Sequence, residues 1–144
     1  MEALSFRPAT EADVPFLSEL RRFTMQPHEL ATGLRRSVEQ SMQRVVQSLE
    51  VAQIIEQSGS AIGVLKVLRN ADQWELYQIQ LMPAYQGKGI GSQIIRSLVA
   101  EAKAAGVSIR LGVLRANPAR KLYERLGFVV VSEKEHGYEM VAAA

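Results

Sequence analysis

No cysteine occurs anywhere in the 144 residues. That removes disulfides, thiolate metal sites and a cysteine nucleophile from consideration. Histidine is nearly as scarce, with only His28 and His136, too few for a multi-histidine centre, and no metal is expected. Aromatic residues make up 6% of the chain, with one tryptophan, Trp74. Surfaces that stack nucleic-acid bases interleave aromatics with basic residues; no such run is present, so no nucleic-acid partner is expected. No apolar run approaches the ~18 residues of a membrane helix, so no membrane partner is expected either. The opening MEALSFRPATEAD is acidic and broken by proline, unlike a secretory leader. A cytoplasmic location is therefore the default expectation.

What the chain does contain is ordinary for a globular protein: 47% hydrophobic and 22% charged residues. Its length fits one domain, residues 1–144, with a real core. The net charge of +2 is too mild to argue for a polyanionic polymer. Its distribution says more. From Gln73 onward there are nine Lys/Arg against six Glu, whereas Met1 to Gln40 has five against six acids. Lys88, Arg96, Arg115, Arg120, Lys121 and Arg125 supply much of that surplus. It reads either as attraction for an anionic ligand or as a solvated surface.

The stretch from Trp74 to Ala105 organises the rest. Trp74 to Met82 has the composition of a half-buried strand and stops at Pro83. Gly87, Gly89 and Gly91 follow within five positions. Ile90, Ile94, Ile95, Leu98, Val99 and Ala102 then mark one face of an amphipathic helix. Strand, glycine loop and helix together make an anion cradle. The first turn of a helix leaves backbone N–H groups without partners, aligned peptide dipoles add positive charge there, and glycine lets a ligand come close. The spacing is not GxxxxGK[ST], which excludes a P-loop. It is GxGxG rather than GxGxxG, with no acidic residue closing a following strand, which excludes a dinucleotide fingerprint.

Elsewhere, Leu4–Arg7 reads as a first strand. Thr10 and Asp13 frame a helix start, and that helix runs to about Met25 and breaks at Pro27. A second helix is predicted from Glu29 to Gln47, with Leu30, Leu34, Val38, Met42, Val45 and Leu49 inward. A meander of Glu50–Glu56, Ala61–Leu68 and the Trp74 strand follows. Gly106 ends the central helix, Val107–Leu114 is a strand, and Pro118 starts a short helix through Leu126. Phe128–Ser132 and Tyr138–Val141 close as a hairpin around His136-Gly137. The order β-α-α-β-β-β-α-β-α-β-β predicts a mixed α/β sheet.

Gln86-x-x-Gly89-x-Gly91 matches [QR]-x-x-G-x-[GA]. With the approach Leu81-Met82-Pro83-Ala84-Tyr85 and the later Asn117…Tyr123…Gly127-Phe128, the chain resembles the GNAT (Gcn5-related) N-acetyltransferases. The resemblance implies a GNAT fold whose central strands, Trp74–Met82 and Val107–Leu114, splay apart around acetyl-coenzyme A. It places Gln80, Leu81 and Met82 against the pantetheine arm through their backbone groups. Gln86, Gly87, Lys88, Gly89, Ile90, Gly91 and Ser92 surround the pyrophosphate, with Lys88 either on a phosphate or in water. Asn117, Ala119, Arg120 and Tyr123 complete the cofactor side, and Asn117 also suits a helix cap.

Tyr123 matches the residue proposed as general acid in many members, because a phenol can protonate a departing thiolate. The base is less defined. Glu75 lies eleven residues before Gln86, where some members carry a basic glutamate; others have an acid nearer the bulge, where this chain has Tyr77 and Gln78. Glu75 therefore reads as base or as an exposed edge carboxylate, with a water wire as substitute. The implied activity is transfer of an acetyl group to a primary amine by direct attack in a ternary complex, with the Leu81 backbone polarising the thioester oxygen. The alternative is a module that binds acyl-coenzyme A without transfer, which the missing acid at Gln78 keeps open. A homodimer is common in such proteins, and no stretch here specifies an interface.

Overall fold

The computed structural model describes residues 3–144; Met1 and Glu2, part of the expected domain, lie outside the described residues. Seven strands form one sheet in the order β1-β2-β3-β4-β5-β7-β6. They are β1 (Leu4–Pro8), β2 (Ala52–Gln57), β3 (Ser60–Arg69), β4 (Gln73–Leu81), β5 (Ser108–Leu114), β6 (Val129–Glu133) and β7 (Gly137–Ala142). All neighbours are antiparallel except β4 and β5. The helices are α1 (Val14–Thr24), α2 (Gln26–Thr32), α3 (Val38–Val46), α4 (Ile90–Ala104) and α5 (Ala119–Arg125).

The sheet is covered on both faces, because its strands carry apolar residues at both parities. Leu17 and Leu20 of α1 and Val45 of α3 pack on Ala52, Ile54 and Val64. The other face carries the larger core, where Ile90, Ile94, Ile95, Leu98 and Ala102 of α4 meet Leu65, Trp74, Leu76, Ile109, Leu111 and Phe128. The predicted stripe of α4 is thus the buried one. Each such isoleucine or leucine side chain contributes about 1.5–3 kcal/mol on leaving water.

The predicted helix from Glu29 to Gln47 is two helices. Gly33 adopts φ +95°, its N–H donates to the Leu30 carbonyl at 3.1 Å and the Leu34 N–H donates to Glu29 at 2.8 Å. This is a Schellman stop with glycine in the left-handed position it favours. Ser37 and Gln40 then cap α3 reciprocally, at 3.0 and 2.8 Å. The expected inward stripe fails with the single helix: Leu30, Val38 and Met42 are exposed.

One ion pair fastens the first strand to the first helix. The Asp13 carboxylate accepts from two Arg7 nitrogens at 2.9 and 2.8 Å and from the Thr10 N–H at 2.8 Å. Hydrogen bonding to Arg7 is the main reason its pKa falls from 3.8 to about 2, burial opposing. A carboxyl held low in the folded state stabilises above the unfolded pKa and loses that contribution as pH drops through the folded one. Water reaches Arg7, so the contribution is only about 1–2 kcal/mol. Acid titration of stability by denaturant melts is expected to show a loss between about pH 4 and pH 2, and Asp13→Asn to flatten it. An unchanged acid limb in that variant would remove the assignment.

Candidate active site

β4 and β5 run in register only from Gln73↔Ser108 to Leu76↔Leu111. At the next residue β4 carries a bulge: Lys66 faces Gln78, Val67 faces Leu76, and Tyr77 is the extra residue. A bulge bends its strand and increases local twist. Beyond it β4 stays with β3 and β5 stays with β7, so the two part and a cleft opens between them.

Backbone parity decides what β4 shows to that cleft. The Met82 N–H donates to Ile62 at 2.8 Å, which makes Gln80↔Val64 the next hydrogen-bonded pair and Leu81↔Gly63 a non-bonded one. Ile79 and Leu81 therefore turn their backbone N–H and C=O groups away from β3, toward the opening. The Leu81 carbonyl is met there by the Gln86 side-chain amide at 2.9 Å. Of the expected trio Gln80, Leu81 and Met82, only Leu81 offers backbone to the cleft. The Gln80 carbonyl points into β3, where a Cβ on Gly63 would collide with it. The Met82 carbonyl is already taken by the Tyr85 N–H at 2.9 Å. Ile79, which the sequence motifs do not single out, takes the vacant place two residues before Leu81; strand alternation is the signal that identifies it.

The glycine loop has the predicted form. Gly87 and Gly89 sit at φ +73° and +81°, in the left-handed region. Among the described residues, none of the N–H groups from Gly87 to Ser92 has a protein acceptor; the first helical bond is Gln93 to Gly89 at 3.0 Å. A row of free amides at the start of a fifteen-residue helix fits a diphosphate.

Two hollows flank the parting strands. The first, about 410 Å³, is lined by the loop glycines and by Gln86, Ile90, Ser92, Ala119 and Arg125. The second, about 550 Å³, is lined by Glu75, Tyr77, Gln78, Arg110, Tyr138 and Glu139, among others. Ile79, Gln80, Asn117 and Tyr123 line both. Tyr123 thus stands where the two meet, its ring buried against Phe128. Burial pushes its hydroxyl up to about 12. Asn117 caps α5 by accepting from the Ala119 N–H at 2.9 Å.

Arg120, Lys88 and Glu75 are placed by contacts of their own. The Arg120 guanidinium lies 4.2 Å over the Tyr138 ring and near Glu124, outside the loop hollow; Arg125, one turn on, lines that hollow in its place. Lys88 Nζ sits 5.8 Å from the Tyr85 ring centre, also outside it. Glu75 does line the larger hollow, with its carboxylate 3.9 Å from Arg110, which also bonds Glu139. Among the described residues there is no group of three or more His, Asp or Glu able to hold a metal ion, and no helix is long and apolar enough to cross a membrane.

The comparisons agree with this geometry. A family model described as an acetyltransferase (GNAT) domain matches residues 49–130. The chain belongs to the GNAT acetyltransferase family. The coenzyme A complex of the PaiA N-acetyltransferase from Thermoplasma acidophilum superposes with a TM-score of 0.75 at 19% identity, covering 99% of each chain. An acetyltransferase from Thermus thermophilus gives 0.75 at 22% identity over 100% of each. These likenesses show that the fold is that of the GNAT acetyltransferases. A [ribosomal protein bS18]-alanine N-acetyltransferase from Haemophilus influenzae is 37% identical over 68 residues, 46% of this chain. The match spans about half that relative's length, 47%.

Proposed function

We propose that this GNAT acetyltransferase moves an acetyl group from acetyl-coenzyme A to a primary amine, by direct attack with both substrates bound. The observation that carries the proposal is the pair of hollows joined at Tyr123: one has free amides for a diphosphate, the other has room for an acceptor. The similarity to an enzyme named for acetylating a ribosomal protein's alanine supports a peptide amine among the acceptors to test.

Acetyl-coenzyme A supplies an activated thioester and a thiolate leaving group. The free N–H groups of Gly87 to Ser92 bind its diphosphate, and Arg125 adds a cation nearby. The N–H groups of Ile79 and Leu81 orient the pantetheine and are the donors available to the thioester oxygen. Tyr123 holds its proton across the whole working range. Full transfer from a phenol near 12 to a thiolate near ~8.5 is uphill by roughly 4–5 kcal/mol, so its main service is a hydrogen bond to the departing sulfur. Glu75 removes the amine proton, directly or through water, from its place on the acceptor wall.

The test is thiol release from acetyl-coenzyme A against small amines, polyamines and peptide N-termini. Tyr123→Phe is expected to lower kcat about a hundredfold with little change in coenzyme A affinity. No fall in wild-type rate below about pH 10 should trace to Tyr123, since its proton stays on. Turnover with no amine in the panel, or full activity in Tyr123→Phe, would overturn the corresponding part.

A further inference from the structure

A small pocket opens off the acceptor hollow and shares Met25, Arg44, Tyr77 and Gln78 with it. Its volume is about 120 Å³, a few times the ~30 Å³ of a liquid water. Arg21, Lys66 and Arg44 converge on it from α1, β3 and α3. Charge there is out of balance. Arg21 and Arg36 share one carboxylate, Glu29, at 2.5 and 2.6 Å. Among the described residues Lys66 has no carboxylate in contact; its ammonium donates to the carbonyls of Arg44, Val45 and Gln47, at 3.5, 3.1 and 2.7 Å, at the end of α3. Among the described residues the side chain of Arg44, an exposed residue, bonds only the Gln47 side-chain oxygen, at 3.1 Å.

Two details point to an anion-binding role rather than to a finished structural cluster. Arg21 is 7% exposed, and among the described residues its Nε has no acceptor. Buried guanidinium N–H groups are normally paired. Lys66 is 3% exposed, and burial chiefly, then Arg21, lowers its pKa to about 8, with Glu50 opposing. Burial, then Arg36 and Arg21, also lowers the pKa of Arg44. An anion in the pocket would offset the positive charge that these three residues bring to its wall.

We infer that this pocket receives a carboxylate carried by the acceptor, so that the enzyme selects amines bearing an acidic group a few bonds away. The inference rests on the amine-acetyltransferase reading above. It assigns the inner end of the acceptor hollow, at Tyr123 and Gln80, to the amine, and the Arg44 side to the acid.

The experiment compares matched acceptors, such as peptides with Glu or Gln at the second position and an amino acid with its amide. Acidic acceptors are expected to exceed their amides in kcat/KM by about tenfold, as charge-assisted hydrogen bonds allow, and Arg44→Gln to bring that ratio toward one. Calorimetry with glutarate, glutaramide and inorganic phosphate, on the whole chain and on Arg44→Gln, reads the pocket without turnover. Arg44-dependent binding of glutarate but not glutaramide supports the inference even if no tested amine is acetylated. Equal use of acidic and amide acceptors in active wild-type enzyme overturns it and leaves the transferase reading intact. Arg44-dependent binding of phosphate without glutarate also overturns it, in favour of a free-anion site.

Discussion

Gly89→Glu is expected to abolish coenzyme A binding at concentrations that saturate the wild type. Two independent effects add. Gly89 sits at φ +81°, where any other residue costs about 1–2 kcal/mol. The new carboxylate also arrives among the free amides of Gly87 to Ser92, where it would occupy those donors and repel a diphosphate. Gly89→Ala separates the two. A Cβ there meets nothing within 4 Å, so alanine carries only the conformational cost and should weaken binding about tenfold. Glutamate should weaken it at least a hundredfold. Folding should survive both, because the site is open and an acid at a helix start favours the helix. Calorimetry with coenzyme A, alongside thermal melts, reads affinity and folding separately. Wild-type affinity in Gly89→Glu would mean that the loop is only a tight turn.

The form of this loop is legible in the sequence because its determinants are local. Three glycines, a preceding proline and the stripe of Ile90, Ile94, Ile95 and Leu98 all lie within one short stretch, and backbone amides act without regard to tertiary partners. The remaining parts of the site depend on pairing across the sheet. The bulge at Tyr77 appears only when β4 is laid against β3, and that register decides that Ile79 and Leu81, not Gln80 and Met82, face the opening. Arg120 and Arg125 are equivalent by composition. The Tyr138 ring, brought close by β7, holds the former aside.

The α2–α3 region is one helix by apolar spacing and two in the structure, although the sequence carries the signals for two: Gly33 as a stop, and Ser37 with Gln40 as a fresh cap. Those local end signals outweigh the continuous spacing. The driving feature is hidden for a different reason. Glu29 lies on a polar stretch and is 4% exposed, because two arginines from elsewhere in the chain close over it.

That carboxylate sets the second large effect. Glu29→Ala is expected to cost about 3–5 kcal/mol of stability, since it leaves two guanidinium groups beside each other without their shared anion. For a chain of this size the melting temperature should fall by roughly 10 °C. The loss should exceed that of replacing the whole trio with apolar residues (Arg21→Met, Glu29→Leu, Arg36→Met), because removing all three charges leaves nothing buried unpaired. The comparison matters for function as well as folding. Glu29 lines the larger hollow, proposed above for the acceptor, and ties α2 and the Arg36 segment to α1, so it holds one wall of that hollow in place. Loss of the anion should therefore raise the acceptor KM more than the acetyl-coenzyme A KM, whose loop lies on α4. A melting temperature within about 2 °C of wild type, or equal effects on the two KM values, would show that the wall stands without this trio.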